Sequence, residues 1–160
     1  MNPNRTELYQ QARLHPWYAD RFLADGSLPP LSKALLYERL AQKEHEGFYS
    51  QNTYWSPSGG SSAREPLYFP SDVAENLQQR QLLSGWLRKA DVLGPEVVAV
   101  NLFSARLMYR ACEIFVDLVQ MCGGTVLPLT LQADDQDVVR LWKRFRPTMV
   151  MGSPGRLLQL

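Results

Sequence analysis

The last 64 residues constrain the fold most, because short apolar runs alternate there with helix-period segments. Val97 to Val100, Thr125 to Leu129 and Thr148 to Met151 are runs of strand composition. The run at Val97 is continuously apolar and β-branched, which suits a strand covered on both faces. Between the runs, Ala105 to Met121 carries Leu107, Ala111, Ile114, Phe115, Leu118 and Cys122 at helical spacing. Asp134 or Asp135 opens a second helix with Val138, Leu141, Trp142 and Phe145 on its inner face. Gly123-Gly124, Arg146-Pro147 and the turn Gly152-Ser153-Pro154-Gly155 punctuate the segments, and Arg156 begins a further helix. Pro128 places the second strand at an edge or ends it early. This β-α-β-α-β-α order predicts an α/β fold with a parallel sheet and right-handed crossovers. Ligands of such sheets bind beyond the carboxyl ends of the strands. Asn101, Phe103 and Ser104 would therefore share a rim with Gly152 and Ser153. Ordinary turn chemistry is the alternative reading of both stretches.

Residues 1–50 read as a helical layer packed on something else. Thr6 to Leu14 predicts a short helix with Thr6 as its cap, interrupted by Pro16. Trp17 to Ala24 predicts another turn or two, and Leu28-Pro-Pro-Leu31 an extended stretch. Ser32 caps a helix reaching about Glu44, with Leu35, Leu36 and Leu40 inward. Residues 51–70 read as a hairpin with strand-like flanks, Asn52 to Trp55 and Leu67 to Phe69. Its tip gathers Ser58, Gly59, Gly60, Ser61 and Ser62, followed by Arg64. Two glycines let backbone amides approach a ligand closely, and successive amides with hydroxyls form an anion-binding concavity. A plain surface loop is the alternative, since serine–glycine stretches are common linkers. Ser71 then predicts the cap of a helix to about Ala90, with Leu83, Trp86, Leu87 and Ala90 as its buried stripe.

Composition narrows the function classes. The chain has 160 residues and a net charge of +1, with no run of Lys or Arg beyond two. Nothing in that balance predicts nucleic-acid binding. No apolar run approaches the roughly 20 residues that span a bilayer, and the N-terminus lacks a signal-peptide core, so no membrane is expected. Cys112 and Cys122, the only cysteines, lie ten residues apart on or beside one predicted helix, beyond disulfide reach. They read as reduced, buried residues of a cytoplasmic protein. Two Cys and two His offer no metal-ligand spacing. A Walker loop needs a Gly-Lys pair, which is absent, and no G-x-G-x-x-G occurs. A nucleophile elbow at Ser56-Pro-Ser-Gly-Gly60 is disfavoured because His15 and His45 both precede it.

Five segments in order resemble the N-terminal part of phenylacetate-CoA-ligase-like adenylate-forming enzymes. They are His15-Pro-Trp-Tyr18 with Arg21-Phe22, Leu28-Pro-Pro-Leu-Ser-Lys33, Ser58-Gly-Gly-Ser-Ser62 with Pro66, Cys122-Gly-Gly-Thr-Val-Leu-Pro128, and Arg146-Pro-Thr-Met-Val-Met-Gly-Ser-Pro154 with Leu157-Leu158. The resemblance covers essentially the whole chain. It implies activation of a carboxylic acid, aryl by preference, by ATP and Mg²⁺ to an acyl-adenylate, with coenzyme A as a further acyl acceptor. It implies that Ser58, Gly59, Gly60, Ser61 and Ser62 hold the ATP phosphates, with Arg64 as the basic residue, and that Asn101, Phe103, Ser104, Gly152 and Ser153 border the acyl pocket. Two departures stand out. Ala63 occupies the place of the family's last loop glycine, and one extra residue precedes Pro66. The sequence also ends before the family's adenine-binding, magnesium-binding and lid segments. The expectation is an N-terminal portion of an AMP-binding domain, inactive alone, whose exposed strand edges favour a homodimer. The rival expectation is a non-catalytic interaction module on the same fold.

Overall fold

The computed structural model describes residues 5–16, 18–41, 52–58, 66, 68–106 and 108–160. The alternating segment folds as its pattern predicts. Three strands, β3 (Val98–Asn101), β4 (Thr125–Pro128) and β5 (Met149–Met151), form a parallel sheet in the order β4-β3-β5. Before them come helix α1 (Arg5–Leu14), α2 (Lys33–Ala41), strands β1 (Thr53–Pro57) and β2 (Tyr68–Asp72), and α3 (Val73–Lys89). Helix α4 (Ala111–Met121) links β3 to β4, α5 (Asp135–Phe145) links β4 to β5, and α6 (Pro154–Leu157) follows. β3 is central and its last three residues are fully buried, as its unbroken apolar run requires. Pro128 sits at the end of an edge strand, where its missing N–H costs no ladder bond.

Strand alternation sorts the core into two layers. Ala99, Val126, Met149 and Met151 pack with Leu118, Val119 and Cys122 from α4 and its end. Val100, Leu127 and Val150 pack with Leu102, Leu129 and Val138 on the face covered by α5. Successive side chains of a strand point to opposite faces, so each strand supplies both layers. At the end of α4, Gly123 adopts φ +85°, and a Cβ on Gly124 would lie 3.0 Å from the Gly94 carbonyl oxygen. The pair is small because the chain turns tightly against the 94–97 segment before entering β4.

Several boundaries and faces differ from the sequence reading. α4 starts at Ala111 rather than Ala105, because the chain bends at Arg106 and Met108 adopts φ +59°. Ser71 is not the cap of α3: it pairs with Tyr54 in the β1–β2 ladder, and Asp72 accepts hydrogen bonds from the amides of Ala74 and Glu75 instead. The α3 stripe is displaced in part: Leu87 packs against the core as expected. Trp86 is 66% exposed, and Leu83 and Ala90 are exposed, whereas Ser84 is buried. α3 meets α4 along Arg80, Ser84 and Leu87, with Arg80 ion-paired to Asp117 and the Cys122 thiol donating to the Ser84 carbonyl. On α5 only Val138 is buried; Trp142 and Phe145 stand in solvent. α6 begins at Pro154, two residues before the expected start, with proline in its first turn.

In the N-terminal part, α1 includes Thr6 in its first turn rather than as its cap. The expected turn after Pro16 is a single 3-10 turn, Ala19–Arg21. Arg21 donates to the carbonyls of Pro29 and Pro30, and Arg39 pairs with Asp20. Ser32 caps α2, its hydroxyl accepting from the Leu35 amide at 3.2 Å. Residues 42–44 of the expected helix lie outside the described residues, as does Trp17.

Candidate functional site

The hairpin expected around the Ser/Gly stretch is present at its base. β1 and β2 pair antiparallel from Thr53 opposite Asp72 to Pro57 opposite Tyr68. Ser58, the first residue beyond β1, is half-buried. Gly59, Gly60, Ser61, Ser62 and Arg64 lie outside the described residues. The placement of the loop's donors is therefore an expectation from the sequence, and the geometry available is that of its stem.

That stem is fastened to the segment leaving the C-terminal end of β3. The Tyr54 hydroxyl donates to the Met108 carbonyl at 2.8 Å. The Arg110 guanidinium lies 3.9 Å from the centre of the Tyr54 ring. A cation over an aromatic face is attracted by the ring quadrupole, and more strongly where water is displaced. Burial pushes the Tyr54 phenol above its ordinary value, with Glu113 adding to the shift and Arg110 opposing it. Arg110 also sits 3.5 Å from Glu113, and its Nε and Nη1 find no hydrogen-bond partner among the described residues. Met108 thus presents its carbonyl to β1 from a left-handed backbone conformation, which is why the expected helix does not extend through it.

The rim residues come together as the topology predicts. The Leu102 amide donates to the Met151 carbonyl at 2.7 Å, the Thr130 amide to the Asn101 carbonyl at 2.9 Å, and the Leu131 amide to the Phe103 carbonyl at 3.2 Å. A Cβ on Gly152 would meet the Leu102 side chain at 3.3 Å. The segments after β3, β4 and β5 therefore share one end of the sheet. Asn101 is fully buried: its amide nitrogen donates to the Cys112 carbonyl at 2.8 Å and its oxygen accepts from the Phe103 amide at 3.1 Å. It is committed to holding the turn, so its side chain shapes the rim from below. Phe103 stacks on Phe115 with ring centres 4.5 Å apart. The Ser104 hydroxyl accepts from the Arg106 amide, and Ser153 is exposed at the start of α6.

Arg156 was not singled out by the sequence, yet it is buried. It donates to Asp135 at 2.8 Å and to the Ala133 carbonyl at 2.9 Å, tying α6 to the start of α5. Arginine in a short helix after a turn carries no sequence mark of burial, so tertiary placement alone reveals it. Cys112 and Cys122 are free and buried, and burial pushes both thiols up, which keeps them protonated and unreactive. Among the described residues no cluster of three or more His, Cys, Asp or Glu could hold a metal, and no helix is long and apolar enough to cross a membrane. No family model and no curated protein matches the chain.

Proposed function

We propose that the chain is the N-terminal portion of an adenylate-forming ligase that activates a carboxylic acid with ATP, and that the 58–64 loop grips the nucleotide's phosphates. One observation supports this most: Tyr54 and Arg110 tie the stem of the Ser/Gly hairpin to the segment that follows the central parallel strand. That tie holds the base of the hairpin beside the chain that leaves the carboxyl end of the central strand, and ligands of parallel sheets bind beyond that end. In the proposed reaction a carboxylate oxygen attacks the α-phosphorus of ATP, the α–β bridging bond breaks, and pyrophosphate leaves. Hydroxyl and amide donors from Ser58 to Ser62 would stabilise charge accumulating on the leaving phosphates without transferring a proton. The donor set fits phosphate rather than a metal; Mg²⁺ would enter with ATP, and no ligand for it is assigned on this chain. Coenzyme A is the proposed acyl acceptor.

The test is ATP binding by the full chain, followed by thermal shift and calorimetry, with pyrophosphate release measured across a panel of aryl and alkyl acids. The expected result is an ATP-dependent stabilisation that Ser61→Ala with Ser62→Ala weakens by about tenfold or more, as loss of transition-state or phosphate donors does. Tyr54→Phe, which removes the hydroxyl's bond to Met108 and leaves the ring under Arg110 and the loop intact, should weaken it several-fold. The second reading, a non-catalytic module, is favoured by Ala63, since alanine tolerates positive φ poorly where the family has glycine. Absence of both ATP stabilisation and pyrophosphate release would leave that reading standing and remove the ligase.

A further inference from the structure

Helix α4 starts later than its residues require. Met108, Tyr109 and Arg110 include no glycine or proline, and methionine and arginine are strong helix formers. Arg110, at the N-cap position, already has right-handed backbone angles, φ −89° and ψ −1°, and its side chain makes no capping bond. The opening backbone bond of α4 runs from the Ile114 amide to the Arg110 carbonyl at 2.8 Å. Met108, at φ +59°, stops the next turn. A left-handed residue with a Cβ crowds its following carbonyl oxygen and persists only where its surroundings enforce it. Here the enforcing contact is the Tyr54 hydroxyl on the Met108 carbonyl, backed by Arg110 over the Tyr54 ring. The bend also leaves bonding incomplete. The Nε and Nη1 of Arg110 are buried without a hydrogen-bond partner among the described residues, and its ion pair with Glu113 is long at 3.5 Å.

We infer that Met108 to Arg110 form a two-state strap in which the Met108 carbonyl either holds the hairpin through Tyr54 or extends α4 by a turn. In the bent state that carbonyl accepts from Tyr54, and the Tyr109 amide closes the bend on the Arg106 carbonyl at 3.1 Å. In the straight state Met108 turns right-handed and its carbonyl accepts from the Cys112 amide four residues on. The Glu113 amide then reaches the Tyr109 carbonyl, so the bend's backbone bond is exchanged for two helical ones. The carbonyl points along the helix in one state and toward β1 in the other, which makes the two attachments exclusive. Hairpin docking and the length of α4 are thereby coupled in both directions: drawing the stem off Met108 lengthens the helix, and bending the helix start fastens the stem. The strap works whether or not the 58–64 loop takes ATP.

The test is NMR of the full chain without nucleotide, reading Cα chemical shifts at Met108 and Tyr109 and amide exchange at β1, Cys112 and Glu113. Tyr54→Phe removes the hydroxyl and should raise the ratio of straight to bent about fivefold, the scale of one lost hydrogen bond. The Met108 and Tyr109 shifts then move toward helical values, the Cys112 and Glu113 amides exchange more slowly, and the β1 amides exchange about fivefold faster. Met108→Gly removes the Cβ that crowds the bend and should do the opposite, slowing β1 exchange about fivefold. Tyr54→Phe combined with Met108→Gly should return the Tyr109 shift to its wild-type value. Faster exchange at β1, Cys112 and Glu113 together in Tyr54→Phe would mean a hairpin merely loosened, and overturns the inference. Met108 and Tyr109 shifts that stay unchanged in that variant overturn it too, as does a Met108→Gly chain whose β1 amides exchange faster than in the wild type.

Discussion

The two halves of this chain are held together differently. Every described residue that is fully buried lies at Ser84 or later, within or beside the α/β unit. Before Ser84 no described residue reaches that degree of burial. There the organising contacts are polar or at the surface: Arg13 over the Phe22 ring, Arg21 on two proline carbonyls, Arg39 on Asp20. Apolar burial scales with area removed from water and is insensitive to salt, whereas exposed charge pairs contribute little each and weaken with salt or pH. The α/β unit is therefore expected to set global stability, and the N-terminal segment to open first. The hairpin stands between them, fastened to the α/β unit through Tyr54.

The sharpest test of this contrast is a matched pair of leucine truncations. Leu118→Ala empties a fully buried position between α4 and the sheet and should cost about 3 kcal/mol in urea denaturation. Leu23→Ala, more than half exposed, should change stability by no more than about 0.5 kcal/mol. Equal effects would show that the N-terminal segment shares the core.

A smaller effect is expected at the rim. Asn101→Ala strands the Cys112 carbonyl and the Phe103 amide and should cost about 2 kcal/mol. Amide exchange should rise at Phe103 and Leu131 before it rises in β3. A loss confined to β3 would mean that Asn101 supports the strand rather than the turn.

The smallest effect concerns acid. The Arg39 guanidinium bonded to Asp20 holds that carboxyl below the ordinary aspartate value, and the Ser27 hydroxyl and amide do the same for Asp25. A lowered folded pKa contributes stability above the ordinary value of about 4 that is lost as the pH falls through the folded value. Between about pH 5 and pH 3, amide exchange around Leu23 to Ser27 should therefore speed up while β3 stays protected. Loss of protection that begins in β3 would reverse the proposed order of opening.

By itself the sequence determined the order of strands and helices after Val97, because a continuous apolar run and a 3.6-residue period are local signals with different physical periods. It also located the hairpin stem and the capping of α2, which depend on residues adjacent in the chain. Only the tertiary structure decided which helix faces are buried. Of the expected α3 stripe Leu87 packs against the core, but the polar-looking Arg80 and Ser84 take the contact expected of Leu83 and Trp86, because α3 needs a small residue where it crosses the end of α4. α4 lost its expected first six residues to the bend at Arg106 and to Met108, whose carbonyl is taken by a tyrosine more than fifty residues earlier. Burial of Asn101 and Arg156 likewise followed from partners distant in sequence, against the usual exposure of both residue types. Local periodicity fixes what an element is; packing partners, which no short window contains, fix which side of it disappears from water.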